Sequence, residues 1–172
     1  MQYCTIILQM VEIEKLEEKL GEAMGLEMAA QKAVEELGSR GLLDENGMLD
    51  QLQKMQTQAG NHQSKLEKMI QELPELNGSK LDTIKIQQVA QETAQKCSNM
   101  MQTYLGEDPD SSEAIEFLCL AEGGEITHYE VLDAISKKVK NNKLSATVNS
   151  ILREEKRHLQ LCTRLAKRVA SE

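Results

Sequence analysis

The sequence predicts an all-α protein: a four-helix bundle with an additional crossover helix, forming a single domain over residues 1–172. Three observations favour this fold. Good helix formers, above all Ala, Leu, Glu, Lys, Gln and Met, dominate the chain. Apolar residues recur at three- and four-residue steps through long segments, which is the period of an amphipathic helix. Only two prolines occur, and no alternating strand pattern stands out.

Glycines, prolines and capping residues divide the chain into helices. The predicted helices cover residues 3–37, 48–73, 81–105, 112–140 and 144–170. A helix of roughly 25 residues is about 37 Å long at 1.5 Å per residue, the scale of a four-helix bundle. A bundle needs four helices, so we assign residues 81–105 to the crossover.

Local signals set the expected ends and weak points of these helices. Gly21 and Gly25 interrupt the first helix and can bend or break it. Ser79 is the expected N-cap of the third helix, and Ser111 or Ser112 that of the fourth. The pair Gly123–Gly124 is expected to loosen the fourth helix.

Charge and composition exclude several classes of function. Lys and Arg total 20 against 28 Asp and Glu, which gives a net charge of −8. An acidic surface argues against binding to nucleic acids and to anionic membranes. No apolar run is long enough to span a bilayer, and the apolar start lacks the basic region of a signal peptide. The four cysteines are scattered, as in a reduced protein. We therefore expect a cytoplasmic protein.

Two Glu-x-x-His motifs flank the last predicted turn, near residues 141–142. The first motif is Glu125 to His128, and the second is Glu155 to His158. The two motifs are equidistant from the turn. In an antiparallel hairpin, Glu125 would therefore face His158, and His128 would face Glu155.

These polar side chains interrupt apolar helix faces. Glu155 and His158 are three residues apart and share the stripe of Ile151 and Cys162, so they are expected to point inward. Burying them without partners would cost several kcal/mol each. Two solutions stay open: a divalent cation, for which carboxylate and imidazole are suitable ligands, or a Glu–His hydrogen-bond network.

Further candidates interrupt other apolar stripes at a similar level. Glu122 precedes Glu125 on the same face, Glu27 lies in the first helix, and His62 lies in the second. All three histidines then fall on or beside inward faces. The candidate metal ligands are Glu27, His62, Glu122, Glu125, His128, Glu155 and His158.

The pattern over residues 113–170 resembles the ferritin-like superfamily of dimetal-carboxylate bundles. His128-Tyr129-Glu130 is similar to the YciE/YciF-type branch, and Glu155-x-x-His158 with the preceding glutamates is similar to rubrerythrin-type bundles. The resemblance implies iron or manganese in a dinuclear centre, reaction with oxygen or peroxide, and a role in protection against oxidative stress.

The sequence departs from this family at two positions. Ala59 stands where the family has a glutamate three residues before His62, and Thr127 stands where the YciE/YciF-type branch has a glutamate. A dinuclear, mononuclear, asymmetric or lost site therefore stays open. The exposed Glu130 is interpreted as a solvated side chain.

Other functions stay open beside the metal-binding one. A metal-free acidic helical protein could bind partners through its helix faces, or could keep only the fold of the metalloproteins. The apolar start of the chain, from Ile6 to Met10, suggests a homodimer. The sequence assigns no catalytic residue and does not decide whether the protein is an enzyme.

Overall fold

The computed structural model describes the backbone of residues 2–44, 47–73, 75–76 and 80–171, with side chains from Glu12 onward. The helices are α1 (Gln2–Ser39), α2 (Met48–Glu72), α3 (Thr83–Leu105), α4 (Ser111–Lys138) and α5 (Asn142–Val169). These ranges contain no β-strand. The all-α prediction is confirmed, and the observed helix ends lie within a few residues of the predicted ones.

Aspartates, rather than serines, cap the third and fourth helices. The Asp82 carboxylate accepts hydrogen bonds from the N–H groups of Ile84 and Lys85, both at 3.0 Å. Asp110 and Glu113 form a reciprocal capping box at the start of α4. The predicted serine caps are therefore wrong. At α4 the aspartate and the glutamate three residues later satisfy two N–H groups, and at α3 the Asp82 carboxylate alone accepts from two N–H groups.

The glycines of α1 bring two helices close together without breaking either. A Cβ on Gly25 would lie 2.4 Å from the Ala90 carbonyl oxygen, and one on Gly21 would lie 2.7 Å from that of Ile86. The helix α1 does not break at these glycines, because it is continuous from Gln2 to Ser39 and these positions let the α3 backbone approach. The helix α4 is likewise continuous through Gly123, where no loosening occurs.

Contacts between side chains give the helix directions. Glu17 bonds Lys85 and Glu36 bonds Gln102, so α1 and α3 run parallel. Residues near the end of α2 meet residues near the start of α5, so these two helices are antiparallel. The helix α1 also packs against α2 and α4, and α4 packs against α5.

Two apolar clusters lie on either side of a layer of polar residues. One cluster includes Leu20, Leu132 and Ile151, and the other includes Leu37 and Leu165. All five helices contribute to both clusters, and each helix other than α3 also contributes at least one buried carboxylate or imidazole between them. This layer holds most of the predicted ligands.

Two further expectations concern a membrane and a second copy of the chain. Within the described part of the chain, no helix is long and apolar enough to cross a membrane. The side chains of residues 6–10, which suggested a homodimer, lie outside the described ones, so the homodimer stays a prediction.

Candidate metal centre

Four helices place six of the predicted ligands in the buried layer. Each side chain occupies an inward position of its helix and has at least one buried apolar residue three or four residues away. Glu155, for example, follows Ile151 and precedes Cys162 on the buried face of α5. The six residues, all buried, are Glu27 from α1, His62 from α2, Glu122 and Glu125 from α4, and Glu155 and His158 from α5.

Five of these residues form two triads that share one carboxylate. The first triad is Glu27, His62 and Glu155, and the second is Glu122, Glu155 and His158. In each triad the candidate ligand atoms all lie within 4.8 Å of one another. Glu155 directs one oxygen to each triad: Oε1 lies 2.6 Å from His62 Nδ1, and Oε2 lies 3.0 Å from His158 Nδ1.

Side chains outside the triads hold the two histidines in the same orientation. The Nε2 atom of His62 lies 3.0 Å from Glu154 Oε2, and that of His158 lies 3.0 Å from Gln58 Oε1. Both oxygens can accept a hydrogen bond from Nε2. Their rings stack with centroids 5.8 Å apart. Each imidazole therefore presents Nδ1 to the shared carboxylate of Glu155.

Four buried atoms at the centre lack a well-aligned hydrogen bond, although two of them, His62 Nδ1 and Glu155 Oε1, face each other at 2.6 Å as an ion pair. Burial without a partner costs free energy, so such atoms are rare in folded proteins. They come from both triads and converge on Glu155. The atoms are Glu27 Oε2, His62 Nδ1, Glu122 Oε2 and Glu155 Oε1.

Burial keeps protons on several carboxylates of the layer. Burial and the charge of Glu155 raise the pKa of Glu27 to about 7, although His62 and Tyr129 oppose the shift. Burial and the charges of neighbouring carboxylates raise the pKa values of Glu122 and Glu125 well above the ordinary value. Without a cation, these three carboxyl groups therefore hold their protons to a higher pH than an exposed glutamate does.

The remaining charge of the layer lies on an ion pair between Glu155 and His62. Burial opposes ionisation of Glu155, but His158 and His62 outweigh it and lower its pKa to about 2. Burial also opposes protonation of His62, yet Glu155 and Glu27 raise its pKa to about 10. Without a cation, Glu155 is therefore a carboxylate and His62 an imidazolium.

The predicted register of the last hairpin is wrong by almost one helical turn. Glu122, rather than Glu125, lies near His158, with 3.7 Å between Oε2 and Nδ1. His128 does not meet Glu155. It is partly exposed, and its Nε2 lies 3.4 Å from Glu22 Oε2. The reason is that α4 ends at Lys138 and the turn is centred closer to residue 140 than to 142.

Sequence reasoning missed the residues that support the ligands. The Tyr129 hydroxyl donates a 2.5 Å hydrogen bond to Glu27 Oε1 between two buried side chains. Its place on the inward stripe of α4 was a signal, but its partner was not predictable from α4 alone. Glu154 and Gln58 looked like surface residues. Ala59 is buried one turn before His62, and the exposed Glu130 pairs with Lys156, as expected of a solvated side chain.

Comparison with protein-family models found no match, and comparisons with curated proteins and with solved structures found none either.

Proposed function

We propose that this chain is a ferritin-like metal-binding protein that binds two divalent ions, iron or manganese, in the two triads. The observation that carries the proposal is the sharing of Glu155. Each of its oxygens faces a different imidazole nitrogen, and each triad adds one further carboxylate. A carboxylate between two such groups is suited to bridge two cations.

The helix arrangement supports the architecture that this proposal needs. Successive contacts join α1 to α2, α2 to α5, α5 to α4, and α4 back to α1, which is the order of a four-helix bundle. We infer that α3 is the crossover helix. It runs parallel to α1 on the outside of this ring, and it returns the chain so that α4 can run in the same direction as α2.

The ligand inventory also supports a dinuclear site. Ferritin-like dimetal proteins use four carboxylates and two histidines, with one Glu-x-x-His motif on each of two helices. Here α2 has Ala59 in place of that glutamate, but α4 carries both Glu122 and Glu125 in the buried layer. We propose that Glu125 restores the fourth carboxylate from a different helix. His128, which lies apart beside Glu22, is not included among the ligands.

The buried atoms without a well-aligned hydrogen bond fit a pair of cations. Glu154 and Gln58 can accept hydrogen bonds from the Nε2 atoms, which leaves each Nδ1 lone pair free to bind a cation. Carboxylate oxygens and imidazole nitrogens are suitable ligands for iron and manganese. The cations would replace the protons on the buried carboxylates and the charge on His62.

Bound iron or manganese would supply redox chemistry with oxygen or peroxide, which suits protection against oxidative stress. The chain's own contribution is to exclude bulk water by the two apolar clusters and to hold the ligands in place. A metal-free acidic interaction protein is the alternative. Under that alternative, the buried ion pair of Glu155 and His62 is purely structural.

Metal content by elemental analysis tests the proposal. The protein is expressed in medium supplemented with iron and manganese, and we expect about two equivalents per chain. Glu155→Gln should lose metal from both triads, because it removes the shared carboxylate. Glu130→Gln, which changes an exposed glutamate of α4, is the matched control and should keep full content.

Two results would contradict the proposal. One is a folded wild-type protein that neither retains nor takes up iron or manganese. The other is an unchanged metal content in Glu155→Gln. Circular dichroism of each variant establishes that a loss of metal does not reflect unfolding.

A further inference from the structure

A cavity opens between α1, α3 and α4 on the side of the buried layer where Glu125 lies. Its volume is about 730 Å³, within the range of sites for a single small molecule. It extends along α4 from Phe117 to His128, or roughly 16 Å at 1.5 Å per residue. Small residues on two helices create the space, among them Ala29, Ala33 and Ala121.

The walls of the cavity are mainly apolar, and some of this apolar surface is exposed to solvent. Met100, Tyr104 and Leu120 are three of the large apolar residues that remain exposed among the described side chains. All three line the cavity. Met100 and Tyr104 lie outside the buried face of α3, which carries Ile86, Ala90, Ala94, Met101 and Leu105. Concentrated exposed apolar residues of this kind mark binding sites.

One buried polar group faces this apolar space. Glu125 is only 2% exposed and lines the cavity. The same carboxylate follows Glu122, a member of one triad, by three residues on the buried face of α4. Glu125 therefore connects the cavity to the region of the proposed metal centre.

The charges at the cavity are arranged unevenly. Lys32 and Lys96 are exposed at its edge, and neither forms an ion pair with a described residue, although the chain is acidic overall. Of the two acidic side chains at the cavity, Glu125 is buried, and Glu22 already pairs with Lys19 and lies near His128. A ligand with one negative end and an apolar body would satisfy both the lysines and the apolar walls.

We propose that this cavity binds a free aliphatic monocarboxylate, with its carboxylate between Lys32 and Lys96 and its hydrocarbon chain beside Met100 and Leu120. The bound chain would pass next to Glu125. The site would thus bring an organic molecule to the metal centre. The binding claim rests on the cavity alone, whereas its relation to the metal rests on the proposed function.

Calorimetric titration of the metal-free protein with dodecanoate, at concentrations below micelle formation, tests the binding. We expect one site per chain. Dodecyltrimethylammonium, which has the same chain length and the opposite charge, should bind at least about tenfold more weakly, because the lysines repel it. The double variant Lys32→Gln/Lys96→Gln should bind dodecanoate roughly tenfold more weakly. Lys54→Gln on the exposed face of α2 is the matched control.

A second variant tests the cavity walls. Ala29→Leu places a larger side chain in the cavity and should abolish binding while the thermal midpoint stays near that of the wild type. Equal binding of the two amphiphiles, or full binding by the double lysine variant, would overturn the proposal. Since metal content is measured separately, dodecanoate binding without metal would refute only the proposed function, and metal without dodecanoate binding would refute only this inference.

Discussion

Glu155 is the residue on which the two triads depend, and its geometry makes them separable. Its Oε1 serves the triad of Glu27 and His62, and its Oε2 serves the triad of Glu122 and His158. Glu27 and Glu122 each belong to one triad alone. Substitutions at these positions should therefore affect one cation each.

We predict that Glu27→Gln and Glu122→Gln each remove about one metal equivalent per chain. An amide keeps the size of the side chain but loses the negative charge that binds a cation. Combining the two substitutions should remove both equivalents. Elemental analysis checks the result, and loss of both equivalents in either single variant would show that the two cations cannot bind independently.

Tyr129 supports Glu27 through a single buried hydrogen bond. We predict that Tyr129→Phe destabilises the metal-free protein by about 1–3 kcal/mol, because a buried carboxyl oxygen loses its donor. Urea denaturation measures this change. Tyr104→Phe is the control, since the Tyr104 hydroxyl is exposed and lies 3.4 Å from Glu116; its stability should stay within about 0.5 kcal/mol of the wild type. Equal stability of the two variants would contradict the assigned role of Tyr129.

At the scale of helices, glycine has two different roles in this chain. On α1 it permits a close approach of the α3 backbone, with positions 21 and 25 facing Ile86 and Ala90. On α4, a Cβ added at Gly123 or Gly124 would meet nothing within 4 Å. The same residue type therefore serves packing in α1, whereas in α4 it only costs helix stability.

We predict opposite effects for two glycine-to-alanine substitutions. Gly25→Ala should destabilise the protein by about 1–3 kcal/mol or more, because its Cβ would overlap the Ala90 carbonyl oxygen. Gly123→Ala should stabilise it by about 0.5–1 kcal/mol, as alanine does in an open helix interior. Urea denaturation of both variants tests this. A neutral Gly25→Ala would mean that α3 does not pack this closely on α1.

At the scale of the whole molecule, the buried layer couples stability to pH. The pKa of Glu27 rises from 4.5 to about 7, and that of His62 rises from 6.5 to about 10. For each group, the folded state holds more protons than the unfolded state at any pH between the ordinary and the raised pKa. Stability is therefore lost as the pH rises from about 5 to 10. The lowered pKa of Glu155 acts only below pH 4.5, where stability falls as the pH decreases.

We predict that the metal-free protein melts roughly 5–10 °C lower at pH 8.5 than at pH 5.5, from a loss of a few kcal/mol. With manganese, the protein should instead melt at a higher temperature at pH 8.5 than at pH 5.5. The reason is that cations compete with protons for the same atoms and bind more tightly at high pH. Thermal unfolding with chelator or with manganese measures both effects. A metal-free protein that is more stable at pH 8.5 would contradict the assigned protonation of the layer.

The positions of the helices and of most inward polar residues could be predicted from the sequence alone. Helix ends and faces follow from local signals, such as capping residues and the 3.6-residue period, so Glu27, His62, Glu155 and others could be placed on buried faces in advance. The all-α fold needed no further information. That Ala59 stands where the resemblance to dimetal-carboxylate bundles implies a glutamate could also be seen in the sequence.

Which of these residues contact one another depends on the tertiary structure and could not be predicted from the sequence. A shift of the α4–α5 turn by about one residue moved Glu122 to His158 and left His128 beside Glu22. The partner of Tyr129 and the close approach of α3 to α1 likewise depend on contacts between distant segments. The physical reason is that periodicity acts within one helix, whereas register is set by how complete helix faces pack together.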